Sequence, residues 1–218
     1  KVGSELGFKL DDADIEVLPH ALNDKHGRTA QLALWGLISN GERSTPQLLV
    51  IASGDQRYRE LLDRYRMICD LVGPLPPPRV VSIDHGMQRF LLFRLPTEKS
   101  SGPCVTPAMA WINTPLPDAV ANGVLDVQGW AFKDGVGLAG VEVLVDGEPA
   151  VKAHYGSDYD VTGFWKASTD PNHPRVGFSA SVDIAGLAPG KHWLGLRLLG
   201  SDGSGETWSE QAFEVPAR

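Results

Sequence analysis

Beyond residue 104, hydrophobic positions recur at every second residue. Val141, Val143 and Val145 alternate with Glu142, Leu144 and Asp146, and Phe178, Ala180 and Val182 alternate with Ser179, Ser181 and Asp183. A period of two predicts half-buried strands with one face on a core. Seven segments of this kind fall around residues 108–113, 123–132, 140–146, 150–155, 176–184, 191–199 and 207–215. Asp146 and Gly147 predict a two-residue hairpin turn, because both central positions of such a turn need positive φ. Ser201, Asp202 and Gly203 supply a second turn. No helical period interrupts the series, and seven strands in about 110 residues predict an immunoglobulin-like sandwich. The Cys–Trp–Cys signature of antibody domains is missing, so its core must be held by aliphatic and aromatic packing.

Upstream the periods are mixed. Residues 28–39 place Leu34, Trp35 and Ile38 on one helical face, and Asn40 and Gly41 signal its end. Residues 47–53 form a continuous apolar run, as expected of a strand buried on both faces. Asp55 is placed to cap a helix in which Tyr58, Leu61, Leu62, Tyr65, Ile68, Cys69 and Val72 recur at three and four residues. Residues 79–84 and 88–94 read as two strands around a hairpin turn at His85 and Gly86. This small α/β layer is either part of a larger unit or must dock on a neighbour to complete its core. A Pro-, Ser- and Gly-rich stretch at 95–103 reads as a linker. The predicted fold is α+β with two domains: a small α/β domain over 1–98, a linker at 99–104, and an all-β immunoglobulin-like sandwich over 105–218.

Composition narrows the function classes. The 218 residues include 27 Asp and Glu against 20 Lys and Arg, a net charge of −7. That balance argues against nucleic acid as a partner, since such affinity comes largely from neutralising phosphates. Arg57, Arg59, Arg64 and Arg66 are interleaved with Glu60 and Asp63, as on a solvated helix face. No apolar run reaches the roughly 20 residues that span a bilayer. The chain begins at Lys1 and shows no signal peptide, which reads as a processed product or a piece of a longer protein. Cys69 and Cys104 cannot supply a four-ligand zinc site. They are either one disulfide, implying an oxidising compartment, or two unrelated buried thiols.

The chemistry-bearing residues gather in the one long connection, residues 156–175, and at its border. Long connections in compact domains are often functional. Tyr155, Asp158, Tyr159, Asp160, Trp165 and His173 are the candidate binding residues: exposed aromatic rings beside carboxylates can stack a sugar ring and accept its hydroxyl hydrogen bonds. The opposing expectation is that Phe164 and Trp165 fold back to plug the sandwich while the aspartates cap turns. His154 and His173 with Asp158 and Asp160 match no metal-binding spacing, so no metal and no cofactor is expected. Asp84 and His85 are adjacent and do not naturally converge in a strand. Ser53 and Asp55 lie where α/β folds bind ligands, without a phosphate-loop or nucleophile-elbow motif. No catalytic residue is assigned.

Gly129-Trp130-Ala131, the strand and turn from Val141 to Gly147, Tyr155-Gly156, Asp160-Val161, Gly177-Phe178-Ser179 and Pro189 to His192 together resemble an immunoglobulin-like module of bacterial envelope proteins. Such modules end some membrane-embedded glycosyltransferases that use lipid-linked sugars. The α/β region looks like the strand, helix and closing hairpin after the last membrane helix of those enzymes. The resemblance implies a periplasmic or extracellular, non-catalytic accessory region of a sugar-transferring membrane protein. Its partners would be a glycan or an envelope protein, and its membrane attachment would run through a segment upstream of this chain. The loop departs from the module by carrying Asp158 and Tyr159 where an Arg is expected before Asp160. Two other classes stand beside this one: a small α/β enzyme using Ser53, Asp55, Asp84 and His85 between the domains, and a structural or adhesive envelope module.

Overall fold

The computed structural model describes residues 7–12, 15–19, 27–52, 58–85, 87–163 and 168–217. The chain is an α+β protein in which a helix-backed sheet packs on a β-sandwich. Helix α1 (Thr29–Leu34) is followed by strand β1 (Gln47–Ala52), helix α2 (Tyr58–Val72), and strands β2 (Arg79–Ile83) and β3 (Gln88–Leu95). These three strands form one antiparallel sheet in the order β1-β3-β2. The sandwich contains β4 (Met109–Thr114), β5 (Ala119–Val120), β6 (Val124–Phe132), β7 (Leu138–Val145), β8 (Glu148–Lys152), β9 (His154–Ser157), β10 (Gly177–Asp183), β11 (Gly190–Gly200) and β12 (Gly205–Val215). Its sheets run β4-β6-β10-β9 and β5-β12-β11-β7-β8.

Between the two sheets, Val127, Val143, Phe178, Leu194, Leu196 and Phe213 are buried in one aliphatic and aromatic cluster. Full burial of side chains of this size is worth about 1.5–3 kcal/mol each. At the β7–β8 turn Asp146 (φ 51°) and Gly147 (φ 83°) adopt the two positive-φ conformations expected of them. The segment expected as one strand over 150–155 is two. β8 pairs with β7 in one sheet and β9 pairs with β10 in the other, so the chain changes sheets at Ala153.

The outer face of β4 and β6 is roofed by the α/β layer. Leu62, Tyr65, Ile68 and Val72 of α2 and Leu91, Phe93 and Leu95 of β3 share one core with Met109, Trp130 and Phe132. Cys69 at the end of α2 is disulfide-bonded to Cys104, 35 residues along. Arg89, a buried cation on β3, lies 4.3 Å from the Trp208 ring centre and donates to the Thr207 carbonyl at 3.2 Å. Burial depresses its guanidinium pKa below the ordinary value.

Two upstream expectations are corrected. α1 spans six residues rather than twelve, and Leu34 and Trp35 are exposed while Ile38 forms a parallel bridge with Val17. β1 is an edge strand of an antiparallel sheet, so Leu48 faces outward and is 59% exposed. A run buried on both faces needs neighbours that this sheet does not place there. The β2–β3 turn puts its positive φ values on Asp84 (52°) and His85 (53°). Ser53, Asp55 and Gly86 lie outside the described residues.

Candidate functional site

The long connection is packed against the sandwich along much of its described length. Val161 and Val176 are fully buried, and Asp170 is buried with Oδ2 accepting from the Lys133 amide at 2.7 Å and Oδ1 from the Asn172 amide at 2.7 Å. Tyr155 turns inward: its ring packs on the sandwich core and its hydroxyl donates to the Ala131 carbonyl at 3.0 Å. Burial pushes that phenol above its ordinary pKa. Asp158 is exposed. Asp160 accepts from the Thr162 hydroxyl at 2.6 Å and amide at 2.8 Å, and lies 3.4 Å from His173 Nε2. The Thr162 hydrogen bonds hold its carboxyl below the usual carboxylate range. Trp165 and Phe164 lie outside the described residues.

Tyr159 belongs to a different constellation. Its amide donates to the Pro174 carbonyl at 2.7 Å, and its Cβ lies within van der Waals reach, 3.4 Å, of where a Cβ on Gly177 would be, a position crowded by the Ser157 hydroxyl and carbonyl oxygens. Its hydroxyl accepts from Asn113 Nδ2 at 3.0 Å. The side chain therefore reaches from β10 to β4 on the outer face of the four-stranded sheet. Gly129, in the strand between, has no room for a Cβ, which would meet the Trp111 carbonyl oxygen and the Phe178 ring.

The register shows what else that face carries. Trp111 stands opposite Trp130, and Thr114 stands opposite Gln128, leaving Asn113 in a bulge. Ser179 lies between Gln128 and His154, and Ser181 lies beside Asp126, to which its hydroxyl donates at 2.6 Å. Residues alternate along each strand, so Val127, Phe178 and Ala180 point into the sandwich while their neighbours point out. Trp130 is buried under the α/β layer, whereas Trp111, next to it at the sheet edge, is 51% exposed. Gln128, Asp126, Ser181, Thr114 and His154 are also exposed. The result is an exposed surface, crossed at one end by Tyr159, with an indole at one side and amide, hydroxyl and carboxylate groups in rows beside it. Bulges of the kind at Asn113 commonly re-aim a side chain at functional edges.

The residues considered for a small enzyme are placed otherwise. Asp84 is exposed in the β2–β3 turn, and His85 Nδ1 lies 2.9 Å from Glu210 Oε2. A cavity of about 130 Å³ lies between Pro76, Pro77, Pro78 and Thr106, with Lys133 on its wall. The Lys133 ammonium donates to Ser204 Oγ at 2.7 Å and to Glu206 Oε1 at 2.8 Å. Among the described residues no group of three His, Cys, Asp or Glu is arranged to hold a metal ion.

Trp111, Asn113 and Gln128 were not among the sequence-derived candidates. The signal available was the alternation from Met109 to Thr114, which puts Trp111 on the side away from Ala110 and Ile112. That alternation does not reveal whether the outer face is roofed, as it is at Trp130, or open.

No protein-family model matches the sequence, and no curated protein does. Solved structures give partial likenesses. A fibronectin(III)-like module of CbhA from Clostridium thermocellum has 17% identity and a TM-score of 0.34, covering 50% of this chain and 96% of that one. The endo-beta-1,4-mannanase from Thermotoga petrophila has 11% identity and a TM-score of 0.35, covering 52% of this chain and 20% of that one. CopC from Methylosinus trichosporium OB3b has 18% identity and a TM-score of 0.29, covering 50% of this chain and 94% of that one.

Proposed function

We propose that this chain is a non-catalytic accessory region of a sugar-transferring protein of the bacterial envelope, and that its sandwich binds glycan on the outer face of β4-β6-β10-β9. The observation that carries the reading is the half-exposed Trp111 near Asn113, with Gln128 and then Asp126 further along β6 on the same outer face. An indole face can cover the apolar C–H face of a pyranose, and neighbouring amides and carboxylates can pair with its hydroxyls. Tyr159, braced on Asn113, borders the surface on the side of the long connection. Trp and Tyr supply contact area with few rotatable bonds, so ordering them on binding costs little entropy.

The Cys69–Cys104 disulfide supports a periplasmic or extracellular location, since such bonds persist in oxidising compartments. No described helix is long and apolar enough to cross a membrane. The link to a membrane-embedded transferase rests on the sequence resemblance, and the α/β layer would lie toward that catalytic part. The test is affinity capture of the whole chain on immobilised envelope polysaccharides, with Trp111→Ala alongside. Retention of the wild-type chain that drops roughly 10- to 100-fold in the variant supports the reading, in line with buried Trp anchors elsewhere. Equal retention of both, or turnover of an activated sugar by the isolated chain, contradicts it.

A further inference from the structure

The three-stranded sheet turns one face to α2, where Leu49, Ile51, Val80, Leu91 and Phe93 join the shared core. Its other face looks outward. The register places Leu48 and Val50 of β1, Val81 and Ile83 of β2, and Phe90 and Leu92 of β3 together on it. The strand centres are half-buried, while Leu48 is 59%, Ile83 48% and the adjoining turn residue Met87 73% exposed. Seven of the eleven large apolar side chains exposed among the described residues lie in this half of the chain, Phe8, Leu10, Leu34 and Trp35 being the others.

The same face is cationic at one end. Arg79 lies opposite Leu92 and Arg94 opposite Leu48, both at the end away from the 84–87 turn and both exposed. Neither guanidinium makes a hydrogen bond or ion pair among the described residues. No outward position of the three strands carries a carboxylate, in a chain with 27 of them and a net charge of −7. A second copy docked with its arginine end on this one's would set arginines against arginines with no strand carboxylate to meet them. A surface offering both apolar depth and phosphate oxygens complements the whole face, because guanidinium groups bind phosphate bidentately and apolar side chains enter the acyl boundary.

From this we infer that the outer face of β1-β3-β2 docks on an anionic lipid bilayer, independently of the glycan-binding reading and of any membrane attachment through an upstream segment. The experiment is flotation of the whole chain with vesicles of phosphatidylcholine alone and of phosphatidylcholine with phosphatidylglycerol. Expected are binding to the anionic vesicles only, weakening as salt screens the arginines, and at least a tenfold loss of binding in Arg79→Glu/Arg94→Glu. Leu48→Ser/Ile83→Ser should also weaken binding, while Trp111→Ala should leave it unchanged. All these positions are exposed, so an unchanged melting temperature verifies that the variants fold. Failure to float with anionic vesicles, or equal flotation of the charge-reversed variant, overturns the inference and leaves the face to a protein.

Discussion

The imidazole of His85 lies flat on the indole of Trp193, with ring centroids 3.6 Å apart and planes within 3°. The main-chain carbonyl of His85 accepts from the Glu210 amide at 3.1 Å, and its Nδ1 meets the Glu210 carboxylate at 2.9 Å. One turn residue thus fastens the β2–β3 hairpin to β11 and β12. His85→Ala should cost about 1 kcal/mol, since aromatic stacking contributes about 0.5–1.5 kcal/mol and a partly exposed side-chain hydrogen bond adds little. Chemical denaturation measures the loss, and hydrogen exchange should quicken in β2 and β3 before it does in β7 and β11.

The disulfide ties the end of α2 to the entry of the sandwich across 35 residues. Closing a loop of that length restricts the unfolded chain by about 4 kcal/mol in the loop-entropy description. Reduction, or Cys69→Ser/Cys104→Ser, should lower stability by an amount of that order, read as a fall in melting temperature on adding reductant. No change would mean that packing alone holds the two halves together.

Lys133 and Glu206 form an ion pair in the protein interior, each 2% exposed, with Glu206 also accepting from the Ala108 amide at 3.1 Å and 3.2 Å. Removing one partner leaves a buried charge and typically costs about 3–5 kcal/mol. Lys133→Met and Glu206→Gln should each destabilise by about that much, and the double variant by less than their sum. A double-mutant cycle in denaturant checks this.

His192 is held by Asp146 Oδ2 at 2.7 Å and by the Ala188 carbonyl at 2.8 Å. These hydrogen bonds, the Asp146 one first, raise its pKa above the ordinary 6.5. The folded state therefore binds this proton more tightly than the unfolded chain. Its stabilising contribution is complete below pH 6.5 and disappears as pH rises through the raised folded value. His192→Gln should flatten the stability profile over that interval, as followed by melting temperature against pH.

Much of the sandwich was legible because its strands are amphipathic and its turns chemically marked. Val141 to Val145 alternate, and Asp146 and Gly147 accept positive φ cheaply, so strand and turn follow from local rules. The sheet switch at Ala153 was not legible, because alternation continues through it while the hydrogen-bonding partner changes. Leu34 and Trp35 have helical spacing but no surface to pack against, and spacing alone does not supply one. The loop residues Tyr155 and Asp160 drew notice by composition, yet Tyr155 points into the core and Asp160 is occupied by Thr162 and His173. Trp111 gained its candidacy only through the roof over its neighbour Trp130, a tertiary relationship between segments far apart in sequence.

The most direct test of the glycan-binding account follows the indole Nε1–H resonance of Trp111 by nuclear magnetic resonance while envelope oligosaccharides are titrated into the whole chain. The account predicts a saturable shift at Trp111 and at the Asn113 and Gln128 side-chain amides, with the buried Trp130 indole unmoved. Saturable sugar binding that leaves Trp111, Asn113 and Gln128 unshifted, or no binding by any envelope oligosaccharide, would contradict it.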